Sequence, residues 1–131
     1  MPQATTLPEF YQTTASGPAL QYQVPAAVHQ LASSVAAGGT ASSAVISSDG
    51  YQKIALSVTS TEAGTLTLQR YLDAAGTVPQ GAALQASLTA GQPALVNAVD
   101  GLPFQSLKVS VSNSGGASAN LSNLVILLQG N

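Results

Sequence analysis

Short runs of alternating apolar and polar residues, separated by turn-forming residues, are the feature that most constrains how this chain folds. The clearest example lies between Tyr51 and Asp73, and its two apolar series are Ile54, Leu56, Val58 and Leu66, Leu68, Leu72. A period of two places one set of side chains inside and the other outside. The small polar segment 60–64 separates the two series and ends in Gly64, which tolerates a positive φ. The pattern predicts two strands joined by a tight hairpin turn.

The rest of the chain repeats this pattern. Further strands are predicted over residues 42–47, 82–88, 94–99, 104–112 and 120–129. Turn signals separate nearly every pair, among them Ser48-Asp49-Gly50, a strong hairpin signal. About eight strands at a spacing of ~8–12 residues are typical of an antiparallel sandwich or barrel. We therefore predict an all-β fold, a single antiparallel β-sandwich that is jelly-roll-like, although this strand count also fits an immunoglobulin-like topology.

Residues 26–37 are compatible with two structures. Helical spacing of the apolar residues, with Pro25 before them and Gly38 after them, favours a helix. The small residues 36–40, followed by the apolar run 44–46, favour a hairpin between two strands. We favour the strand, because every later segment is β and Ser33-Ser34 is poor helix material.

The first 26 residues differ from the remainder because they contain four prolines, Pro2, Pro8, Pro18 and Pro25. Each proline removes a backbone donor and favours an extended neighbour, which excludes a central strand. We predict an extended N-terminal arm over 1–26 and a β-sandwich domain over 27–131. A disordered tail is the alternative, but a fully solvated tail does not need aromatic residues. The residues expected to bind a neighbouring subunit are Phe10, Tyr11, Leu20, Tyr22 and Val24.

The last predicted strand loses its alternation over the five apolar residues Leu124–Leu128. A run without alternation indicates that both faces of the strand are covered. The cover is either the chain's own loops or arm, or a subunit interface, since an apolar patch left in water favours association. For the second case, Leu124 and Ile126 are predicted to contact a partner.

Charge is scarce in this chain, since 6% of its residues are charged where roughly 25% is typical. Three scattered basic residues are too few to bind along a phosphate backbone, so we expect no nucleic-acid partner. There is no basic patch for an anionic membrane and no apolar run of ~18 residues, so we expect no membrane partner either. The first ten residues do not read as a signal peptide, which predicts synthesis in the cytoplasm. Such a weakly charged surface suits a protein that is packed in an assembly or located outside a cell.

No catalytic constellation is visible in the sequence. His29 is the single histidine, and it is predicted to be an exposed polar residue of a strand. Asp49 and Asp100 each precede a glycine, as turns require. Neither cysteine nor a short acidic cluster is present to hold a metal. We therefore expect a protein that is not an enzyme and uses no cofactor or metal.

Arg70 is the charged residue to follow, because strict alternation places it on the inward face of its strand. A buried guanidinium must be paired. Asp73 and Asp100 are the candidate partners within the chain. The alternatives are a bulge that turns Arg70 outward and a contact with a partner subunit.

Three aromatic residues, Tyr51, Tyr71 and Phe104, could form a stacking platform for a sugar. The chain has no tryptophan, and few amides or carboxylates lie beside the tyrosines. Packing in the core or at its rim is therefore favoured over glycan binding.

Two runs, GYQKIALSVTSTEAGTLTLQRYLDAAGTVP and DGLPFQSLKVSVSNSGGASANLSNLVILL, resemble small β-sandwich proteins encoded near the capsid gene of tailed bacteriophages. The resemblance extends over about residues 26–131. It implies a capsid decoration, or cement, protein of jelly-roll type that is made in the host cytoplasm and located on the capsid surface of the virion. The implied partners are the major capsid protein and further copies of this chain, as a dimer or trimer. Tail-fibre and baseplate modules share this sequence pattern, so a glycan- or receptor-binding module of a phage tail fibre or baseplate is the alternative.

Overall fold

A computed structural model describes residues 20–130, and nearly all of the regular structure in them is β. The described residues contain ten strands and one helix of a single turn. In chain order these are β1 Gln21–Gln23, α1 Ala26–His29, β2 Ser34–Val35, β3 Thr40–Ser42, β4 Ile46–Ser47, β5 Lys53–Ser60, β6 Gly64–Tyr71, β7 Leu84–Leu88, β8 Pro93–Ala98, β9 Ser106–Asn113 and β10 Ala119–Gln129.

The strands form two antiparallel sheets. The first sheet has the order β1-β10-β5-β8, with β2 also pairing β10, and the second has the order β3-β9-β6-β7, with β4 also pairing β9. β1 and β2 pair with opposite ends of β10, so they are two stretches of one interrupted edge strand. β3 and β4 are related to β9 in the same way. The described chain therefore occupies eight strand positions, four in each sheet, and the predicted antiparallel sandwich of about eight strands is confirmed.

The connections between strands identify the topology as a jelly roll. The chain passes from one sheet to the other at 36–39, 48–52, 61–63, 89–92, 99–105 and 114–118. By contrast, β6 and β7 are consecutive strands that pair within one sheet. Eight strands divided in this way between two packed sheets make a double-sheet jelly roll.

The central hairpin predicted from the sequence is wrong, although both of its strands exist. β5 pairs with β10 and β8, whereas β6 pairs with β9 and β7. The turn between them crosses the sandwich. Ser60 is buried there, and its hydroxyl accepts a hydrogen bond from the Glu62 backbone N–H at 3.1 Å and donates one to the Glu62 carbonyl at 2.8 Å. Alternation could not reveal the crossing, because the inward faces of two facing sheets produce the same pattern as two paired strands.

The core lies between the sheets and confirms the alternation within the long strands. Its largest members are fully or almost fully buried: Ile46, Ile54, Leu56, Val58, Leu66, Leu68, Leu107, Val109, Val111, Ile126 and Leu128. Leu72 was expected to join them, but it is 48% exposed. The reason is that β6 ends at Tyr71, so Leu72 begins the following loop.

Residues 26–37 contain little of the strand that we favoured. Ala26–His29 is one helical turn that ends at Gln30, whose φ of 55° is left-handed, and the strand is limited to Ser34–Val35. His29 is buried, not exposed, and its Nδ1 accepts the Leu31 backbone N–H at 2.9 Å. Burial lowers the pKa of this imidazole.

The single strand predicted over 42–47 is divided into β3 and β4. Between them, the buried Ser43 donates its backbone N–H to the Val109 carbonyl, and its hydroxyl accepts the Val109 N–H at 2.9 Å. The Ser43 side chain thus replaces a backbone partner in the ladder. The edge strand stays attached to β9 although its regular pairing is interrupted.

The sandwich begins earlier than the predicted boundary at residue 27. Gln21–Gln23 pairs with Gln129–Leu127 of β10, and Val24 donates its N–H to the Ile126 carbonyl at 2.8 Å. Residues 21–24, assigned to the arm from the sequence, are therefore part of the first sheet.

β9 passes very close to Gly64, so a side chain at this position should destabilise the fold. A Cβ built at Gly64 would lie 1.8 Å from the Ser112 carbonyl oxygen, and a backbone atom cannot move aside as a flexible side chain can. We expect Gly64→Ala to lower the free energy of unfolding by about 3 kcal/mol, as overpacking does. Urea denaturation followed by circular dichroism measures this change.

Gly116→Ala is the matched control, because a Cβ at Gly116 meets nothing within 4 Å. We expect it to change the stability by less than about 0.5 kcal/mol. Equal stability of the two variants would contradict the close approach of β6 and β9.

Candidate functional site

One end of the sandwich collects the longest loops and the first described residue of the chain. We call it the loop end and define it by residues 48–52, 72–83 and 99–105 together with Leu20 and Gly130. The strand register places these segments together, since Gln129 pairs with both Gln21 and Lys53 in the first sheet. In the second sheet, Tyr71 pairs with Ser106 at the same end.

Three recesses border the loop end. The first, of about 190 Å³, opens on the first sheet and is lined by Lys53, Ile54, Ala55, Val99, Leu127 and Gln129. The second, of about 310 Å³, is lined by Leu72, Gln80, Gly81, Leu102 and Pro103. We call this second recess the end pocket. The third, of about 300 Å³, is lined by Ser47, Ser48, Asp49, Gly50, Ala74, Phe104 and Gln105.

The carboxylates at the loop end hold the loops in shape. Asp73 accepts a hydrogen bond from the Thr77 hydroxyl. Its Oδ1 also accepts the backbone N–H groups of Thr77 and Val78, each at 2.9 Å. These hydrogen bonds lower the pKa of Asp73, and the bond from the Thr77 side chain has the largest effect. Asp49 accepts the Ser47 hydroxyl at 2.8 Å. Asp100 likewise accepts the Leu102 N–H at 3.1 Å. The turn roles predicted for Asp49 and Asp100 are therefore confirmed.

Arg70 is buried and paired, as alternation predicted. Its exposed fraction is 6%, and its two terminal nitrogens donate to Asp100 Oδ1 and Oδ2 at 2.7 and 2.8 Å. The guanidinium carbon lies 5.7 Å from the centroid of the Phe104 ring. The partner is thus Asp100 and not Asp73. Arg70 holds the pKa of the Asp100 carboxyl well below its usual range.

This ion pair joins the two sheets at the loop end. Arg70 belongs to β6 of the second sheet, whereas Asp100 follows β8 of the first. The loop that carries Leu102 and Pro103 is therefore anchored to the opposite sheet. The pair fixes one wall of the end pocket.

The outer face of the first sheet carries several apolar side chains next to the loop end. We call the following residues the outer-face patch: Ala55, Leu95, Val99, Val125 and Leu127. Leu95 is 57% exposed and Val99 is 64% exposed. Ala55 lies beside Leu127, and Ser57 lies between Val125 and Leu95. The patch therefore extends over β10, β5 and the end of β8, and two polar residues, Ser57 and the exposed Asn97 opposite Ala55, lie within it.

A β-bulge decides which residues of β10 face outward. The register with β5 shifts between Ser122 and Val125, and Asn123 there has a φ of 54°. After the bulge, Ile126 and Leu128 face the core, while Val125 and Leu127 lie half-buried on the outer face. Both faces of this strand are thus apolar, as the lost alternation indicated.

The structure places two predicted partner residues inside the subunit. Val24 is 3% exposed and Ile126 is 1% exposed, so their side chains belong to the chain's own core. Leu124 is half-buried and packs against that core. The outward apolar residues of β10 are instead Val125 and Leu127, which the sequence analysis missed because the bulge reverses the alternation.

Two of the remaining predicted partner residues, Leu20 and Tyr22, lie near the start of the described chain. Leu20 is 38% exposed, and Tyr22 stacks on Tyr51 with ring centroids 6.1 Å apart and ring planes 11° apart. Phe10 and Tyr11 lie outside the described residues. The Tyr22 ring is thus already in contact with Tyr51 of the same chain.

The three aromatic residues proposed for sugar stacking are not assembled into one exposed platform. Phe104 is buried beneath Arg70. Tyr51 is half-buried against Tyr22, and Tyr71 is half-buried and paired with Pro79. The packing role favoured from the sequence accounts for these contacts.

Among residues 20–130, no group of three or more histidine, cysteine or acidic side chains is placed to hold a metal ion. In the same range, no helix is long and apolar enough to span a membrane.

Comparison with known proteins identifies no family for this chain. No family model and no curated protein matches the sequence. Among solved structures, it is similar to the family 11 carbohydrate-binding module from Clostridium thermocellum in complex with a β-1,3-1,4-mixed-linked tetrasaccharide, with a TM-score of 0.37, 10% identity and 93% of each chain covered. It is also similar to the family 11 module of the cellulase Lic26A-Cel5E of that organism, with a TM-score of 0.35, 11% identity, and 93% of this chain and 92% of that chain covered. Similarity at this level does not bear on what the present chain binds.

The Arg70–Asp100 pair generates a second stability prediction. We expect Asp100→Asn to destabilise the fold by roughly 2 kcal/mol, because it leaves the buried guanidinium without a counter-charge. The loss is smaller than for a fully buried pair because 43% of the Asp100 side chain is exposed. Urea denaturation at neutral pH tests it, with Asp49→Asn as a control that should stay within about 0.5 kcal/mol of the native chain.

The same pair predicts a pH dependence. Because the pKa of Asp100 is lower in the folded state, its stabilising effect is present above its unfolded pKa and is lost as pH falls through the folded one. The difference in stability between the native chain and Asp100→Asn should stay constant above about pH 5 and shrink below about pH 4. A difference independent of pH down to the acid limit would contradict the ion pair.

Proposed function

We propose that this protein is a non-enzymatic subunit of a protein assembly: a cement protein that binds the major capsid protein on the outside of a tailed-phage shell and acts as a homo-oligomer. The outer-face patch is the observation that carries the proposal. It presents exposed and half-exposed apolar side chains on three neighbouring strands. Exposed apolar surface that is bordered by polar residues marks interaction sites on soluble proteins.

The patch is suited to a protein partner because most of its residues lie on paired strands. Ala55, Leu95, Val125 and Leu127 lie on β5, β8 and β10, whose backbones are hydrogen-bonded to one another, and Val99 directly follows β8. A preordered surface loses little conformational freedom on association. The charged residue at its border is Lys53, which is half-buried beside Val99 and Leu127. Binding here removes apolar area from water with little charge to desolvate.

The patch also lies at a free sheet edge within the described chain. β8 ends the strand order of the first sheet, and Leu95 lies on it. Pro93 starts this strand, which is where an edge strand tolerates a residue without an N–H. The edge can therefore pair with a strand of a neighbouring subunit, as exposed edges do.

The glycan-binding alternative finds less support in the arrangement of side chains. Sugar recognition uses exposed ring faces with polar groups beside them. The tyrosines at the loop end are half-buried, and Phe104 is buried. The outer-face patch is aliphatic, which favours a protein partner over a sugar.

Charge introduced into the patch should abolish assembly. We expect the double variant Leu95→Glu and Val99→Glu to lose at least ~2 kcal/mol of binding, about a thirtyfold weaker affinity, because two carboxylates would be desolvated. Both side chains are more than half exposed, so folding should be preserved. Co-sedimentation with shells of the major capsid protein measures the binding, and analytical ultracentrifugation measures the oligomer.

Val28→Glu is the matched control, because Val28 is 40% exposed and lies on α1, outside the patch. It should bind as the native chain does. Full decoration by the double variant would exclude the patch as the interface. A native protein that ignores shells but is retained on a glycan column would replace the cement function with the alternative.

A further inference from the structure

β8 is an uninterrupted edge strand of the first sheet. Within the described residues it ends the strand order, and its pairing with β5 runs without a register shift from Pro93 to Ala98. The opposite edge of the same sheet is divided into β1 and β2, with the helical turn α1 between them. In the second sheet, β3 and β4 are divided in the same way. β8 and β7 are therefore the two continuous edges in the described part of the chain.

β8 differs from β7 in the side chains that it exposes. The exposed residues of β7 are Gln85 and Ser87, which are polar. On β8, Leu95 is more than half exposed, and so is Val99, which directly follows the strand. Residues 93–99 carry no charge, although charged side chains commonly protect sheet edges from association. Two copies of β8 can therefore approach each other without electrostatic repulsion and bury apolar area.

The hydrogen bonds of the first sheet show which backbone groups of β8 point outward. The Val24 N–H donates to the Ile126 carbonyl at 2.8 Å, and the Gly130 N–H donates to the Leu20 carbonyl at 2.9 Å. Even-numbered residues of this part of β10 thus bond to β1. The N–H and C=O of one strand residue point to the same side, and that side alternates along an antiparallel strand. Odd-numbered residues such as Leu127 therefore bond to β5.

The same alternation continues across β5 to β8. Ala55 lies opposite Leu127, so odd-numbered residues of β5 bond to β10 and even-numbered residues bond to β8. Leu56 lies opposite Val96, so the even-numbered residues of β8 complete these bonds. The odd-numbered residues of β8 consequently direct their N–H and C=O groups away from the sheet.

Three residues of β8 belong to this outward series: Pro93, Leu95 and Asn97. Pro93 has no N–H, and proline is tolerated on the free side of an edge strand, which agrees with the assignment. Leu95 and Asn97 each present an N–H and a C=O to which no strand of the described chain is paired. A further strand can bind to these groups.

We propose that two copies of this chain pair through β8 in antiparallel orientation about a two-fold axis, with Asn97 opposite Asn97 of the partner subunit. A two-fold axis brings the same strand of both copies together, as an isologous interface requires. This register places Leu95 opposite the partner's Val99, so that apolar side chains meet each other. The pairing rests on the homo-oligomer of the proposed function and specifies its interface.

Other registers that respect the alternation match the side chains less well. Centring the pair on Val96 would place Leu95 opposite the partner's Asn97, an apolar residue against an amide. Centring it on Leu95 would place Asn97 opposite the partner's Pro93, which has no N–H to donate. The register centred on Asn97 avoids both mismatches.

Pairing in this way joins the two first sheets edge to edge. The outer-face patches of both copies then lie on the same side of the combined sheet, with Leu95 and Val99 next to the two-fold axis. A shell bound by this dimer would contact two patches at once, which strengthens binding without any new kind of contact.

A proline at position 97 tests the backbone pairing. Asn97→Pro removes an N–H that points away from β5, so the fold should be kept. Self-pairing should weaken at least about tenfold, because each copy loses a hydrogen bond to the other. Asn97→Ala is the matched control, since it keeps the N–H and should dimerise more tightly than Asn97→Pro. Sedimentation equilibrium measures the dissociation constant of the dimer, and circular dichroism checks the fold.

Cysteine cross-linking tests the register independently of the proline variant. The chain contains no cysteine, so Asn97→Cys introduces a single site. Opposed residues of a hydrogen-bonded antiparallel pair have Cα atoms about 5.5 Å apart, within the range of a disulfide. Asn97→Cys should therefore form a covalent dimer under mild oxidation. Leu95→Cys should not, because its two equivalent positions would lie four residues apart along the strand, or ~13 Å.

Several outcomes would overturn the proposal. These are a native chain that sediments as a monomer or a trimer, equal dissociation constants for Asn97→Pro and Asn97→Ala, and a covalent dimer from Leu95→Cys but not from Asn97→Cys. Shell binding by a monomeric native chain would overturn the pairing while the cement function stands. A cross-linked Asn97→Cys dimer that ignores shells would support the pairing and remove the cement function.

Discussion

The structure depends on the burial of two apolar sheet faces against each other. This chain has no cysteine to staple the fold and few charges to steer it. The inward residues of β5 and β10 in one sheet face those of β6 and β9 in the other, and many of them are fully buried. Within the described residues, the chain crosses between the two sheets at six connections.

The loop end shows how a polar interaction is used inside such a fold. Arg70 occupies an inward position that a leucine could fill, and it is tolerated because Asp100 and the Phe104 ring receive it. A buried ion pair adds little net stability compared with apolar packing, but it penalises arrangements in which the pair is broken. Here it fixes the position of the 99–105 loop relative to the second sheet. The geometry of the end pocket follows from that anchor.

The scarcity of charge gives the surface its character. Exposed apolar residues concentrate on the outer-face patch and on the neighbouring loops, as Leu95, Val99, Leu102, Leu72 and Val78 show. A protein with net charge −2 has little electrostatic repulsion to keep such surfaces apart. The two surfaces are built differently, since one lies on a sheet face and the other is a recess between loops. A sheet face suits a broad partner, whereas a recess suits a single side chain.

The sequence by itself determined the long alternating strands and the identity of most core residues, because a period of two records which side chains face inward. It also identified Arg70 as buried and Asp100 as a possible partner. Only the tertiary structure decided that β5 and β6 lie in different sheets, because two facing inward surfaces have the same alternation as a hairpin. It likewise decided that Ile126 is core while Leu127 faces outward, since the bulge at Asn123 shifts the register by one residue. Long-range pairing and a single inserted residue leave no periodic signal, so the surfaces available to a partner emerge only when the sheets are assembled.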